Sequence, residues 1–268
     1  MSTHASMPLN KASQVDAPRA TLAVQGAVAT ISMNRPASRN AIDVAMGQAL
    51  LQTMRDIDAM PAVRVIVLRG EGQGFCAGGD LSFVGRQGED MRGGVDALMD
   101  VANAFVQSLR STPRLVLVSV QGAVAGGGLA LAMAGDFCIA AQDALFVPGY
   151  ARLGVSPDIG LTANLARAIG ARRAMQVMLM ETRLIATEAE RLGMVNRVVP
   201  RDQLETETAE LAQALALISA DAAAATKALF RDGPGRTFEQ QLDTERAAFQ
   251  ACIHTPAAQM ALQRFMKG

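Results

Sequence analysis

The sequence predicts an α/β fold in which short strands alternate with helices and are followed by a helical C-terminal region. Two stretches rich in β-branched residues, 63–69 and 115–120, are typical of buried strands. Residues 41–60 carry apolar residues at helical spacing and are followed by a proline. From residue 203 onward the apolar spacing is helical throughout. Elements in this order are typical of a layered α/β domain capped by helices.

Three regions follow from this order of elements. We expect a disordered tail over residues 1–20, an α/β core over residues 21–200 and a helical region over residues 201–268. The tail is polar, is rich in small residues and lacks the pattern of a secretion signal. A length of 268 residues, half of them hydrophobic, is sufficient for one large domain with a sizeable core.

Each element is predicted from local signals. Residues 21–25 and 27–33 flank Gly26 and predict a hairpin. Further strands are predicted at residues 63–69, 115–120, 137–140, 144–147 and 194–199. Helices are predicted at residues 41–60, 95–109, 161–169, 172–180, 186–192, 203–218, 221–230, 238–252 and 256–266. Residues 81–94 are mixed and contain glycine, so we expect a mobile flap there.

Composition excludes several classes of partner. The 25 basic and 25 acidic residues give a net charge of zero without a basic block, which argues against a nucleic-acid partner. No apolar run reaches the roughly 18 residues that a membrane span needs, so no membrane partner is expected. Three scattered cysteines, Cys76, Cys138 and Cys252, indicate a reducing, cytoplasmic location. The two histidines, His4 and His254, offer no zinc site.

Two glycine-rich turns are candidates for binding an anion. The stretch 120–136 holds Gly126, Gly127 and Gly128 between a predicted strand and an apolar helical segment. Consecutive glycines at such a junction leave backbone N–H groups unshielded at the positive end of a helix, where a negative oxygen binds well. Residues 70–80 form a second glycine-rich turn. A tight turn packed against a neighbour explains the same glycines, so the motif alone leaves both interpretations open.

Five motifs along the chain, taken together, point to a known family. They are Asn34-Arg35-Pro36 with Asn40-Ala41, residues 75–81, residues 122–136, Gly154-Val155-Ser156-Pro157-Asp158 and residues 186–200. In this order they resemble the crotonase superfamily, also called the enoyl-CoA hydratase/isomerase family. The similarity covers roughly residues 22–200 and is weak beyond them. Five motifs in the family's order are far more specific than one glycine motif.

The resemblance implies a fold and a substrate class. It implies a spiral core of ββα units with a C-terminal helical region for trimerisation, and hence a homotrimer or a dimer of trimers. It also implies an acyl-CoA thioester substrate, with no cofactor or metal besides the coenzyme A that the substrate carries. In this family two backbone N–H groups bind the thioester oxygen, and by position these belong to Gly79 and Gly127. The neighbouring substrate-binding residues are then Ala77, Asp80, Leu81 and Gly126.

Two side chains argue against efficient hydration. The hydratases of the family use two glutamates to activate water, and this chain has Ala130 and Tyr150 at the matching positions. A general base contributes about 10²- to 10⁴-fold in rate, so loss of both carboxylates leaves little hydratase activity. Both residues remain expected substrate contacts, although a half-buried aromatic at a loop edge explains Tyr150 equally well. The acyl pocket is expected along residues 81–106.

Asp158 is the remaining acid in reach of the predicted site. Its position resembles the aspartate that some enoyl-CoA isomerases of the family use. The resemblance therefore favours isomerisation of a 3-enoyl-CoA to a 2-enoyl-CoA, with Asp158 as proton shuttle. Burial raises the pKa of a carboxylate and makes it a better base. An aspartate that follows a proline also often caps a helix, which is the competing structural interpretation.

Two other functions stay open. A dehalogenase-like or hydrolase-like enzyme would use Asp158 as a nucleophile, but it would need a base for water, and residues 81–109 contain no histidine. A non-catalytic acyl-CoA-binding protein would keep both glycine turns and lose the glutamates, as this chain does. The sequence discriminates only weakly between a binding protein and an enzyme.

Overall fold

The structure, a computed structural model, describes residues 17–86 and 88–267. Its strands are β1 (Ala20–Gln25), β2 (Val28–Met33), β3 (Val65–Gly70), β4 (Leu115–Val120), β5 (Ala123–Ala125), β6 (Phe137–Ala141), β7 (Leu145–Val147), β8 (Leu184–Ile185) and β9 (Arg197–Val199). The larger sheet has the order β1-β2-β3-β4-β6-β9, and the smaller has the order β5-β7-β8. In the larger sheet only β1 and β2 pair antiparallel.

β1 and β2 form the hairpin that the sequence predicts. Gly26 lies in its turn with a positive φ, which glycine adopts without steric cost. The strands predicted from apolar runs, β3, β4, β6, β7 and β9, are present as well. Residues 1–16 of the expected tail lie outside the described residues. Ala20, at the end of that tail, already pairs with Met33 across the hairpin.

The smaller sheet contains two strands that the sequence does not reveal. β5 has three residues and β8 has two, which is too short for a periodic pattern. Only Gln121 and Gly122 separate β4 from β5, so the chain passes from one sheet to the other within a single turn. β5 then leads directly into the triple glycine and positions it.

The helices of the described part are α1 (Val44–Asp58), α2 (Leu81–Arg86), α3 (Met91–Ser111), α4 (Gly127–Ala134), α5 (Leu161–Ile169), α6 (Ala171–Leu179), α7 (Ala186–Leu192), α8 (Leu204–Ala216), α9 (Ala220–Asp232), α10 (Phe238–Ile253) and α11 (Pro256–Lys267). Most agree with the predicted ranges to within two residues. α1 begins later than predicted, because the Asp43 carboxylate accepts a hydrogen bond of 2.8 Å from the Met46 N–H and caps the helix.

The segment expected to be a flap is largely helical. α2 occupies its first part, and α3 begins at Met91, before the predicted start at residue 95. The Asp90 carboxylate accepts a hydrogen bond of 3.3 Å from the Gly93 N–H and caps α3. Glycine disfavours helix interiors, so Gly93 and its neighbour in the first turn hide this helix from a propensity argument.

The core lies between the larger sheet and helices α1, α3 and α4. Leu50 and Ile57 of α1 and Phe105 and Leu109 of α3 are almost completely buried there. α8 covers the other face of the sheet and contacts β3, β4 and β6. Because β3 and β4 are parallel neighbours, the two glycine turns that follow them leave the sheet at the same edge. The fold thus brings both turns together.

α10 and α11 extend the chain beyond this core. α10 packs on α9, and α11 packs on α10. Several of their large apolar side chains are strongly exposed, among them Phe238, Phe249, Phe265 and Met266. An apolar surface of this kind is typical of an interface with another chain. No helix in the described part is both long and apolar enough to cross a membrane.

Candidate active site

The first glycine turn, residues 70–80, is held between two neighbouring segments. On one side Cys76 exchanges hydrogen bonds of 2.9 and 3.0 Å with β5. On the other side the Ile42 N–H donates to the Gly78 carbonyl, and the Ile42 carbonyl accepts from the Asp80 N–H, both at 2.8 Å. These bonds flank Gly79 and fix the direction of its N–H group.

Asn40 holds the same turn from beneath. Its side chain is fully buried, and its Nδ2 donates to the carbonyls of Glu71, Gly74 and Phe75 at 2.9 to 3.1 Å. Its Oδ1 accepts a hydrogen bond of 2.8 Å from the Arg35 N–H. One amide therefore satisfies backbone groups that burial would otherwise leave without partners.

The two glycine turns touch at Gly78 and Gly127. Gly78 has a φ of +95°, and a Cβ there would lie 3.0 Å from the Gly127 nitrogen and 2.9 Å from the Ala125 carbonyl oxygen. A Cβ on Gly127 would lie 3.6 Å from the Gly79 nitrogen. The positive φ and the close approach together require glycine at position 78.

The N–H groups of Gly79 and Gly127 have no hydrogen-bond acceptor among the described residues. Gly127 is the first residue of α4, so its N–H is one of the free donors at the positive end of that helix. Gly126 differs, because its N–H donates to the Val147 carbonyl at 3.0 Å. Gly79 is exposed, so a ligand has access to this pair of donors.

Asp158 and Tyr150 form a hydrogen-bonded pair. The Tyr150 hydroxyl donates to Oδ1 of Asp158 at 2.6 Å, and Tyr150 is only 7% exposed. Burial raises the pKa of the Asp158 carboxyl, and the hydrogen bond from Tyr150 opposes this only in part. Burial, together with the charge of Asp158, raises the pKa of Tyr150, so its hydroxyl stays protonated and remains a donor.

The interpretation of Asp158 as a helix cap is wrong. Gly160 occupies the N-cap position of α5, and no side chain caps that helix. Only the main chain of Asp158 takes part, since its carbonyl accepts from the Leu161 N–H at 3.0 Å. The carboxylate is bound to Tyr150 instead.

Ile159 connects Asp158 to the glycine turns. Its φ of +39° is rare for a β-branched residue. Its Cδ1 lies 3.6 Å from the position that a Cβ on Gly127 would take. Backbone strain of this kind is concentrated at functional sites, where the surrounding structure enforces it. The carboxylate of Asp158 and the unpaired donors therefore belong to one region of the molecule.

Asp80, which we expected to bind substrate, is engaged within the protein. Its carboxylate lies 3.1 Å from Arg35 and accepts hydrogen bonds from the Ser82 hydroxyl at 2.6 Å and the Phe83 N–H at 3.1 Å. Burial favours a higher pKa, but the bond from Ser82 and the contact with Arg35 outweigh it and lower the pKa of Asp80. These contacts make Asp80 a cap of α2 that shapes the turn.

Ala130 has no exposed surface, so its expected contact with substrate is not supported. Its N–H donates to the Gly126 carbonyl at 3.1 Å within the first turn of α4. Ala77 is partly buried beside the first turn, and Leu81 is 59% exposed at the start of α2. Of the residues expected around the donors, Ala77, Leu81 and Gly126 thus retain accessible surface.

Sequence reasoning missed two apolar residues at this site, Leu98 and Ile159. Leu98 of α3 has its Cδ2 at 3.6 Å from the position that a Cβ on Gly79 would take, so α3 forms a wall of the site. No local signal marks Leu98 among the other apolar residues of its helix. Cys76 beneath the turn is buried, and burial raises the pKa of its thiol to about 12, which excludes a thiolate nucleophile.

The contacts of Asn40 predict that it stabilises the whole site. We expect Asn40→Ala to lower the free energy of unfolding by at least about 2 kcal/mol, because several buried backbone groups lose their partner. Denaturant unfolding measures this change. Asn103→Ala, at an exposed position on α3, is the matched control and should change stability by less than about 0.5 kcal/mol. Equal effects of both substitutions would contradict this role of Asn40.

Comparisons with known proteins agree with the resemblance. The family model described as Enoyl-CoA hydratase/isomerase matches residues 23–267. The chain is 34% identical to 1,2-epoxyphenylacetyl-CoA isomerase of Escherichia coli K12, over 83% of this chain and 86% of that protein. It is 35% identical to a probable enoyl-CoA hydratase of Rhodobacter capsulatus, over 81% of this chain and 83% of that protein.

A further relative and a solved structure extend the comparison. Trans-2-decenoyl-[acyl-carrier-protein] isomerase of Streptococcus mutans is 31% identical, over 69% of this chain and 71% of that protein. The crystal structure of an enoyl-CoA hydratase from Polaromonas sp. JS666 matches with a TM-score of 0.88 at 29% identity, over 92% of this chain and 96% of that one. The expected crotonase-like α/β fold is thereby confirmed. The chain belongs to the enoyl-CoA hydratase/isomerase family, the crotonase superfamily.

Proposed function

We propose that this protein is an enoyl-CoA isomerase, which moves a double bond of an acyl-CoA thioester from the 3,4 to the 2,3 position. The observation that carries the proposal is a single buried carboxylate, Asp158, held by Tyr150 close to the unpaired N–H groups of Gly79 and Gly127. The region thus offers one acid–base group and donors for one oxygen. Proton transfer next to a thioester requires both.

The first step removes a proton from C2 of a 3-enoyl-CoA. The Asp158 carboxylate takes the proton, and the electron pair of the broken C–H bond spreads over C2, C4 and the thioester oxygen. The N–H groups of Gly79 and Gly127 donate to that oxygen as its negative charge develops. Loss of one donor of this kind lowers kcat by about 10²- to 10³-fold in known enzymes.

The second step returns the proton to C4. The protonated Asp158 carboxyl donates it, the electron pair forms the new C–H bond, and the double bond ends between C2 and C3. The thioester carbonyl and the Asp158 carboxylate are restored. Atoms and electrons balance without water, metal or an added cofactor, so coenzyme A enters only as part of the substrate.

Tyr150 is a positioning residue in this mechanism. Its hydroxyl occupies Oδ1 of Asp158, which leaves the second carboxylate oxygen for the substrate. The hydrogen bond stabilises the carboxylate while burial destabilises it, and burial prevails. Asp158 is therefore a stronger base than an exposed aspartate, yet its orientation is fixed.

The geometry supports isomerisation better than hydration or simple binding. At the two glutamate positions of the hydratases, Ala130 is fully buried and the Tyr150 hydroxyl is bound to Asp158. Two relatives of this chain carry the name isomerase, although others are named probable hydratases. A binding protein would gain nothing from a carboxylate whose pKa is raised by burial beside the donors.

The proposed proton shuttle predicts the effect of replacing Asp158. We expect Asp158→Asn to lower the rate of 3-hexenoyl-CoA isomerisation by at least about 10²-fold, because an amide does not accept the proton. The absorbance of the conjugated 2-enoyl-CoA product measures the rate. Asp143→Asn, at an exposed turn position, is the matched control and should retain the wild-type rate.

Each alternative has its own outcome in this assay. A full rate in Asp158→Asn would contradict the assignment of the base. Binding of acyl-CoA by the wild-type protein without any turnover would favour the binding protein. Rapid addition of water to a 2-enoyl-CoA would favour a hydratase despite the missing glutamates.

The raised pKa of Asp158 predicts the pH dependence of catalysis. Only the carboxylate accepts a proton, so kcat/KM should rise with pH through a limb that lies above the pKa of about 3.9 of an exposed aspartate. Tyr150→Phe removes a hydrogen bond that stabilises the carboxylate, so this limb should move to higher pH. Profiles of kcat/KM against pH measure both effects.

A buried aromatic residue nearby supplies the control for Tyr150→Phe. Phe146→Leu, in β7, should lower the melting temperature without moving the acid limb. An acid limb that stays in place in Tyr150→Phe would show that Tyr150 does not position the base.

We also propose that the chain assembles as a homotrimer or a dimer of trimers. The exposed apolar side chains of α10 and α11 support this, since Phe265 is 88% exposed in the single chain. Light scattering should then give three or six times the chain mass of 28.1 kDa. Phe265→Asp should shift the protein toward smaller species, whereas Val24→Asp on β1 should not. A monomer at all concentrations would contradict this assembly.

A further inference from the structure

A cavity next to Ile159 has a largely polar lining. It measures about 610 Å³ and lies between α3, the turn before α5 and the end of α9. Five of its eight lining residues are polar, and the two charged ones, Arg110 and Arg231, are both basic. No acidic residue from the described part of the chain lines it. A hydrocarbon chain alone would leave these polar groups without partners.

Ile159 lies between this cavity and the proposed catalytic site. Its Cδ1 approaches Gly127, and Ile159 and Gly160 also line the cavity. Both residues directly follow Asp158 in the chain. An acyl chain that extends past Asp158 and Ile159 therefore enters the polar cavity.

Arg110 is a cation without an anionic partner among the described residues. Its guanidinium donates to Oδ1 of Asn164, a neutral group. Arg231, in contrast, pairs with Asp232 through two contacts of 2.7 and 2.8 Å. Burial and the positive charges of Arg167 and Arg231 lower the pKa of Arg110. An anion beside Arg110 would relieve both effects.

Asn164 supplies a second donor at the same place. It is 8% exposed, and its Nδ2 is buried without a hydrogen-bond partner in the described part of the chain. This nitrogen lies 3.9 Å from the position that a Cβ on Gly160 would take. Asn164 and Arg110 also line a neighbouring cavity of about 590 Å³, so they stand where the two cavities meet. A guanidinium and an amide N–H together match the acceptors of a carboxylate.

We infer that Arg110 and Asn164 bind a carboxylate at the far end of the acyl group, so that the substrate is an acyl-CoA derived from a dicarboxylic acid. The inference rests on the proposed function in placing the thioester at Gly79 and Gly127. Leu98, beside Gly79, and Arg110 are twelve residues apart on α3, which corresponds to about 18 Å along the helix. The acyl chain must be long enough to span most of this distance.

Matched pairs of saturated acyl-CoAs test this inference without turnover. Adipoyl-, suberoyl- and sebacoyl-CoA are compared with hexanoyl-, octanoyl- and decanoyl-CoA by calorimetric titration. At the chain length that reaches Arg110, the dicarboxylic member should bind at least about 10-fold more tightly, because a charge-assisted hydrogen bond is added. The ratio of the two Kd values within a pair is the readout.

Two arginine variants locate the receptor. Arg110→Gln should abolish the preference, and Arg110→Lys should restore part of it, since it keeps the charge but loses the forked geometry. Arg167→Gln is the matched control. Arg167 is exposed and lines only the neighbouring cavity, so this variant should keep the preference. Thermal melting shows that each variant is folded.

The outcomes separate this inference from the proposed function. Equal Kd values within every pair would overturn the carboxylate receptor and leave the isomerase proposal intact. Equal loss of preference in Arg110→Gln and Arg167→Gln would also overturn it, since the preference would then be a general effect of charge. Failure of every acyl-CoA to bind would contradict the proposed function itself, and this inference with it.

Discussion

The close approach of two backbone segments at Gly78 and Gly127 is the constraint on which the site depends. The parallel pairing of β3 and β4 delivers both turns to one edge of the sheet, but only the absence of Cβ atoms lets them touch. Gly128 obeys the same constraint, since a Cβ there would lie 2.3 Å from the Cys76 carbonyl oxygen. The contact sets the N–H groups of Gly79 and Gly127 side by side. Main-chain donors of this kind persist while the side chains around them change.

Asp158 and Tyr150 supply what the backbone does not. The chain reaches them through a loop whose strained residue, Ile159, packs against Gly127 and leaves the carboxylate bound to a phenol. Burial and the hydrogen bond act on the Asp158 pKa in opposite directions. A base with a raised pKa and a fixed orientation is suited to accept a proton and to return it. The donors and the base therefore depend on different parts of the chain.

The sequence predicts those features of the fold that depend on local patterns. Apolar runs and helical spacing locate the hairpin, the buried strands and most helices, because burial of one face imposes the period. The short strand β5 and the pairing of Tyr150 with Asp158 have no period, since tertiary packing sets them. Position within a motif places Asp80 and Ala130 near the site but does not give the direction of a side chain. The structure turns Asp80 toward Arg35 and buries Ala130.

α3 carries both a wall of the proposed catalytic site and the polar residues of the cavity next to it. Its apolar face, including Leu98, is anchored in the core, whereas Arg110 at its far end borders the cavity. Within the described part of the chain, burial, the Tyr150 hydroxyl and the main chain of Asp158 set the pKa of that carboxyl, and Arg110 is not among the contributing groups. An anion bound at Arg110 would therefore leave the base unchanged. The end of α3 thus selects the acyl group, while the glycine turns and Asp158 determine the chemistry, because the two functions share a helix but no charge interaction.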